Sequence, residues 1–261
     1  MDSKSKEIEF TISIAQQARA LLLSYVGQDL KRNIKRHQDD FSTAADHASE
    51  AFIVSQIKKQ FPHDAIVAEE SGEHAVEHAP YTWIIDPLDG TYNFAHSQKN
   101  FGVMISRLHG PEVEMAVVYD PVNKTLACAE GGKGVWMNGQ RIVLQPSTSD
   151  SAVFSIEKTY QDFFHTRGIK GISYRSAITS TINVLAGELQ GEVGTRGAIW
   201  DYAPPALMFA EAGLQVTDLH GQAFTWDGQI GYDKIGIVAG HPASHKKLLS
   251  IWQEYKAGLK E

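Results

Sequence analysis

The stretch Trp83-Ile84-Ile85-Asp86-Pro87-Leu88-Asp89-Gly90-Thr91-Tyr92-Asn93-Phe94 decides the reading of this 261-residue chain. An apolar strand runs directly into two carboxylates three residues apart, then into a Gly-Thr step. Carboxylates at a strand end suit hard cations such as Mg²⁺, which take oxygen ligands and keep several waters. Backbone N–H groups at the Gly-Thr step suit a phosphate. Upstream, the short apolar run Ala65-Ile66-Val67-Ala68 ends in Glu69-Glu70-Ser71-Gly72. Downstream, Ala198-Ile199-Trp200-Asp201-Tyr202-Ala203-Pro204 sets a further acid at a predicted helix start, with Pro204 and Pro205 expected in its first turn.

Each of these segments has a plainer reading. Asp-Pro and Asp-Gly are turn dipeptides whose carboxylates cap backbone N–H groups. An EF-hand loop needs Gly at its sixth position and Glu at its twelfth; counting from Asp86, those are Thr91 and Ser97, so that reading fails. The neighbouring Glu69 and the later Asp201 tip the balance from a turn to a metal site. Glu69 and Glu70 are adjacent, so a continuing strand would send them to opposite faces and leave one for a cation, the other for support or solvent. Asp201 reads equally as an N-cap, and Trp200 as core. His74 and His78, four apart, have the spacing of a zinc pair but lack a third ligand nearby.

The composition describes an ordinary globular chain. Hydrophobic residues make up 43%, and the formal net charge of −7 argues against a general nucleic-acid binder, which needs a basic surface. No apolar run reaches membrane-spanning length, and the polar start Met1–Glu7 leads into no signal-like apolar region. The single cysteine, Cys128, cannot form an internal disulfide, so a cytoplasmic location is expected.

Periodicity outlines the elements. Ile8, Ile12, Ala15, Ala18 and Leu22 predict an amphipathic helix over residues 5–27, followed by a polar loop or hairpin from Gln28 to Asp40. Thr43-Ala44-Ala45-Asp46 has the form of a capping box ahead of a second helix. Strands are expected at Phe101–Leu108 and Val113–Tyr119, and a hairpin turn at Asn138-Gly139. The Ser-, Thr- and Pro-rich stretch Gln145–Ser151 is the expected boundary between two halves, 1–145 and 146–261. Past it, strand-like and helical stretches alternate: Ala152–Ile156, Ser176–Ala186, Tyr202–Ala212, Ile235–Ala239 and a C-terminal helix. An α/β half would thus follow an α+β half.

Taken together, the segments around Glu69, Asp86–Phe94 and Trp200-Asp201 resemble the inositol monophosphatase family of Mg²⁺-dependent phosphatases, from about Ile8 to about Leu249. The resemblance implies a five-layered αβαβα sandwich of the inositol monophosphatase and fructose-1,6-bisphosphatase type, with the site between the halves. It assigns Glu69, Asp86 and the backbone carbonyl of Leu88 to one Mg²⁺, and Asp86, Asp89 and Asp201 to another, with two or three ions per site. Gly90 and Thr91 would hold the phosphate, and Thr91 with Asp46 would handle the attacking water. The residues by themselves favour capping as the role of Asp46; the resemblance reverses that. Lys35 matches a lysine on the family's mobile loop, although Lys31, Arg32 and Arg36 beside it make a solvated basic cluster the competing reading. Arg175 and Arg196 are candidate substrate contacts that also read as surface residues. A small phosphorylated substrate, lithium sensitivity and a homodimer are further implications. The expected activity is hydrolysis of a polyol or sugar phosphate monoester, inositol monophosphate-like. A bisphosphate, histidinol phosphate, or a metal-binding interaction protein without catalysis are the alternatives.

One departure bears on specificity. Inositol-selective members of that family place a glutamate six residues before the Trp-Asp pair, where this chain has Gly194. Glu192 would need a two-residue shift to replace it. Arg196 would favour a second anionic group, and Ile178 stands where those members have glycine. Weak discrimination in favour of inositol monophosphate is therefore expected.

Overall fold

The computed structural model describes residues 5–96, 99–145, 152–232 and 235–259; residues 146–151, the centre of the expected boundary, lie outside them. Helix α1 (Lys6–Tyr25) is capped by Ser5, whose hydroxyl accepts the Ile8 N–H at 3.2 Å, and it buries Ile8, Ile14, Ala15, Ala18 and Leu22. The polar stretch behind it is a hairpin of β1 (Asn33–Ile34) and β2 (Phe41–Ser42). Helix α2 (Ala44–Gln60) starts at the capping box of Thr43 and Asp46. There follow β3 (Ala65–Ala68), β4 (Gly72–His74), β5 (Tyr81–Asp89), the short α3 (Thr91–Ala95), β6 (Gly102–His109), β7 (Glu112–Asp120), β8 (Thr125–Glu130), β9 (Gly134–Met137) and β10 (Gln140–Ile142). Asn138 and Gly139, at φ 50° and 81°, make the expected tight turn between β9 and β10. The remaining elements are β11 (Val153–Ile156), α4 (Lys158–His165), β12 (Lys170–Ile172), α5 (Ala177–Leu185), β13 (Gly191–Gly197), α6 (Ile199–Glu211), β14 (Gln215–Thr217), β15 (Ile235–Gly240) and α7 (Pro242–Gly258).

Among the described residues, one sheet has eight strands in the order β10-β9-β8-β7-β6-β5-β3-β4, and a second has five in the order β12-β11-β13-β15-β14. Side chains alternate across each sheet with the period of two that a strand imposes. On β6, Val103 and Ile105 join the core beneath α1 and α2, while Met104 between them joins the core with α5 and α6. On β15, Ile237 and Ala239 face that same α5–α6 layer, and Val238 joins Leu248, Ile251 and Trp252 of α7. The order of layers is therefore α1/α2, large sheet, α5/α6, small sheet, α4/α7: the five-layered αβαβα sandwich. Helices α5 and α6 are apolar on both sides because both sides are covered.

Helix α6 begins at Ile199, earlier than the prolines suggested. Pro204 and Pro205 fall at its sixth and seventh positions rather than in the first turn. Their missing N–H groups remove the bonds that would otherwise reach the carbonyls of Trp200 and Asp201. Burial on all sides of this helix outweighs that loss.

Under β5 the fold is pinned by a charged pair. Asp64 accepts the indole N–H of the fully buried Trp83 at 2.9 Å and Arg107 Nε at 3.1 Å, and the Arg107 guanidinium lies 3.4 Å from the centroid of the Tyr81 ring. Asp64→Ala would leave a buried guanidinium with only the half-exposed Glu114 as an acidic partner. We expect a loss of about 3 kcal/mol, read as a lower urea midpoint with an unchanged slope.

Candidate active site

Asp86 and Asp89 stand three apart on β5, which in a regular strand would send them to opposite faces. The pairing with β6 shows why they do not diverge. Asp86 pairs with Met104 and Asp89 with Gly102, three steps against two, so the strand bulges at Pro87-Leu88. Pro87 cannot donate to a ladder and sits where none is needed. The Leu88 N–H turns back to Asp86 Oδ1 at 3.0 Å, and Ser49 holds the Pro87 carbonyl at 2.8 Å. Asp201 is held from the other side as the third residue of α6, its Oδ2 accepting the Ala198 N–H at 2.6 Å. It is thus not the N-cap itself. Each of these three residues offers a carboxylate oxygen, all within 4.8 Å of one another, a group able to hold a metal ion.

Asp89 has a second duty. Its Oδ2 accepts the Ser176 hydroxyl at 2.6 Å and the Ile178 N–H at 3.0 Å, and its Oδ1 accepts the Ala177 N–H at 2.9 Å. It therefore ties the start of α5, on the second half of the chain, to the end of β5. Gly102 permits this approach, since a Cβ there would lie 2.4 Å from the Tyr119 carbonyl oxygen and 2.6 Å from Ile178 Cδ1.

The Glu69-Glu70 pair differs from expectation. β3 ends at Ala68, so the two side chains do not alternate across a strand; both bond Lys35 Nζ, at 3.0 and 2.6 Å. Glu70 is buried rather than at the surface. Glu50 explains the turn, accepting the N–H groups of Glu70 and Ser71 at 2.8 Å each. Glu69 also accepts the hydroxyl of Tyr232 at 2.7 Å. Tyr232, edge-on to Trp200 and beneath the guanidinium of Arg36, is a site residue that sequence reasoning missed. It lies in a Gly-rich loop without periodicity, so nothing local marked it.

The two readings of Asp46 prove compatible. One oxygen closes the capping box with the Thr43 N–H (2.8 Å) and hydroxyl (2.6 Å); the other accepts the Thr91 hydroxyl at 2.8 Å. Thr91 Oγ1 is also 3.0 Å from the Leu88 carbonyl. Gly90, at φ +79°, caps α3, and a Cβ there would fall 2.4 Å from the Asn100 carbonyl oxygen, so glycine is required.

These groups border a cavity of about 310 Å³ whose walls include Asp86, Asp89, Asp201, Arg175, Glu192 and Arg196. Arg175 lies over the Tyr92 ring and pairs with Asp39 at 3.1 Å. The backbone N–H of Arg196 is held by Glu157 at 2.7 Å, and its guanidinium reaches Thr159 at 3.5 Å on the exposed side. His74 is engaged with Ser71 and Lys58, and His78 with Glu77; no third ligand joins them among the described residues.

The electrostatics are those of crowded, desolvated acids. Burial, then Glu69 and the other two acids of the trio, hold the Asp86 carboxyl well above the carboxylate range. Asp201 rises for the same first reason, with the Ala198 N–H opposing. Asp89 is pushed up to about 6 by burial despite its three hydrogen bonds, and Asp46 to about 7 by burial, which the Thr43 hydroxyl only partly offsets. Burial alone would lower Lys35, yet Glu69 and Glu70 hold its proton and the net direction is upward. Oxygen ligands, buried excess negative charge and a bordering cavity fit a divalent cation.

Comparison with known proteins agrees. The family model described as "Inositol monophosphatase family" matches residues 3–257. The chain belongs to the inositol monophosphatase family. It is 30% identical to the inositol-1-monophosphatase of Bacillus subtilis, with 92% of each chain covered. It is 35% identical to the Nus factor SuhB of Salmonella typhimurium, over 87% of this chain and 88% of that one. It is 31% identical to the fructose-1,6-bisphosphatase/inositol-1-monophosphatase of Thermotoga maritima, over 82% and 86%. A Thermotoga maritima IMPase structure superimposes with a TM-score of 0.82 at 28% identity, covering 96% of this chain and 98% of that one.

The raised acids set a pH dependence. Asp46 and Asp89, at about 7 and about 6 in the fold, titrate near ~3.9 when unfolded. The folded state therefore keeps protons that the unfolded chain releases, and these groups cost stability as pH rises from about 4 through 7. The metal-free melting temperature should fall from pH 5 to pH 8. Mg²⁺ should raise it more at pH 8 than at pH 5, a hundredfold excess over Kd stabilising the fold by about 2.7 kcal/mol in all. Equal shifts at both pH values in a thermal melt would contradict this.

Proposed function

We propose that this chain is a Mg²⁺-dependent phosphatase acting on the phosphate monoester of a small polyol or sugar. The observation that carries the reading is the close trio Asp86, Asp89 and Asp201, beside a Thr91–Asp46 hydrogen bond and a cavity large enough for a small ester. In this reading Glu69, Asp86 and the Leu88 carbonyl would hold one ion, and Asp86, Asp89 and Asp201 would hold a second. A bound Mg²⁺ supplies Lewis-acid polarisation, making a coordinated water more acidic and offsetting charge on the phosphate.

The chain's own residues do the rest. Thr91 donates its hydroxyl proton to Asp46, which leaves its lone pairs to orient the attacking water and relay a proton toward Asp46. The same bond leaves the Leu88 carbonyl available to a cation. Gly90 and Thr91 present backbone N–H groups to the phosphate oxygens, preorganised donors that would offset the negative charge there. The two sheets draw their strands from residues 65–142 and 153–240. That supports a division into halves at 145/146 with the site between them. A cytoplasmic location and a homodimer complete the proposal.

The name Nus factor borne by the Salmonella relative supports a second reading, in which the chain acts by binding another macromolecule. Assay separates the two. With EDTA, phosphate release from a panel of monoesters should vanish and return with Mg²⁺, with Li⁺ inhibiting; no release from any ester with Mg²⁺ present favours the second reading.

Asp201→Asn is the most informative variant. Asp89→Asn would also place an amide against the three donors at the start of α5 and weaken the fold, so its activity loss would be ambiguous. At Asp201, one oxygen can still accept the Ala198 N–H while the charge is gone. We expect kcat to fall by roughly 10²-fold or more with an undiminished metal-free melting temperature. Near-normal turnover at saturating Mg²⁺ would remove Asp201 from the mechanism.

A further inference from the structure

Strand β13 carries Glu192, Gly194 and Arg196 at alternate positions, and Glu192 and Gly194 both border the substrate cavity. A Cβ on Gly194 would lie 2.4 Å from Tyr202 Cε1, so the Tyr202 ring occupies the room that a longer residue at 194 would need. Glu192, two residues earlier, reaches the cavity without any rearrangement of the loop.

The state of its carboxylate is unusual. Glu192 is 6% exposed, and its Oε2 has no hydrogen-bond partner among the described residues. Its Oε1 receives only the Ser155 hydroxyl at a long 3.4 Å, while Ser155 lies 2.9 Å from the Ser180 hydroxyl. Glu157, also on the cavity wall, is instead anchored: its Oε1 takes the Thr195 N–H and hydroxyl and the Arg196 N–H. Glu157 pins the strand; Glu192 pins nothing. A buried acceptor left unpaired is costly, and an arriving donor removes that cost. Glu192 lies outside the carboxylate trio able to hold a cation and borders the cavity, where a bound substrate would bring donors within reach.

We propose that Glu192 is a specificity-determining residue that receives a hydroxyl of the substrate, which selects a polyhydroxylated monoester over a bisphosphate. This rests on the phosphatase reading above. A hydroxyl suits the position because it both donates and accepts. Burial pushes the Glu192 carboxyl up to about 8, so near neutrality it can take either role. A second phosphate, fully ionised, would bring no donor to Glu192 and would meet the Glu157 carboxylate, while Arg196 directs its guanidinium to Thr159 at 3.5 Å.

The test compares wild type, Glu192→Gln and Glu192→Leu on inositol 1-phosphate, fructose 1,6-bisphosphate and p-nitrophenyl phosphate, with Mg²⁺. The ratio of kcat/KM for inositol 1-phosphate to that for p-nitrophenyl phosphate should fall about tenfold or more in Glu192→Leu. Most of the loss should be in KM, Glu192→Gln should lose less, and the bisphosphate should gain on the inositol ester. The metal-free melting temperature of both variants should equal or exceed that of wild type, because an orphaned buried acid is removed. An unchanged ratio, or a lowered melting temperature with all three esters falling together, would overturn the assignment. Should wild type hydrolyse none of the esters, the phosphatase reading fails separately. Calorimetric binding of inositol 1-phosphate then decides this assignment, which requires weaker binding to Glu192→Leu than to wild type.

Discussion

Three carboxylates within 4.8 Å of one another, two of them buried and the third partly so, repel, by about 3 kcal/mol per ionised pair at an effective dielectric constant of ~20. The fold tolerates them because each is gripped by backbone donors from a different place. The Leu88 N–H holds Asp86, the start of α5 holds Asp89, and the Ala198 N–H holds Asp201. The grip on Asp89 also joins the two halves, since β5 belongs to the large sheet and α5 lies between the two sheets. The junction is therefore stabilised by the same bonds that confine its excess charge. That charge makes a divalent cation part of the energetics of the site.

Several residues hold fold and chemistry together at once. Asp46 starts α2 and accepts from Thr91; Asp89 starts α5 and faces the cavity. Their helix-capping bonds fix the rotamers that the chemistry needs, which is how a site is kept preorganised. The consequence is that substitution at either position mixes loss of fold with loss of function. Asp201 and Glu192 are cleaner, because one retains its backbone bond after substitution and the other has almost none to lose.

Much of this was legible in the sequence. The strand before Asp86, the capping box at Thr43, the Asn138-Gly139 turn and the layer-forming helices follow from local chemistry and periodicity. The metal-candidate acids stand out because charged residues at the end of an apolar strand have no packing reason to be there. Other features depend on register. A Pro inside a strand reads as a turn until its bulge is seen to rotate Asp89 onto the face of Asp86. The start of α6 was misplaced because two prolines mark a first turn on average, whereas here apolar cover on both sides carries them in the second. Tyr232, Glu50 and Ser176 reach the site across long sequence separations, and no local pattern could have joined them to it.

The central claim is that the trio is a crowded, partly protonated acid cluster able to take up a divalent cation. Calorimetric titration with Mg²⁺ at pH 6 in two buffers of different ionisation enthalpy measures the protons exchanged on binding. The account predicts net release of protons at pH 6, smaller at pH 8, and lost in Asp201→Asn. Binding without proton release at pH 6, or no binding at all, would contradict it.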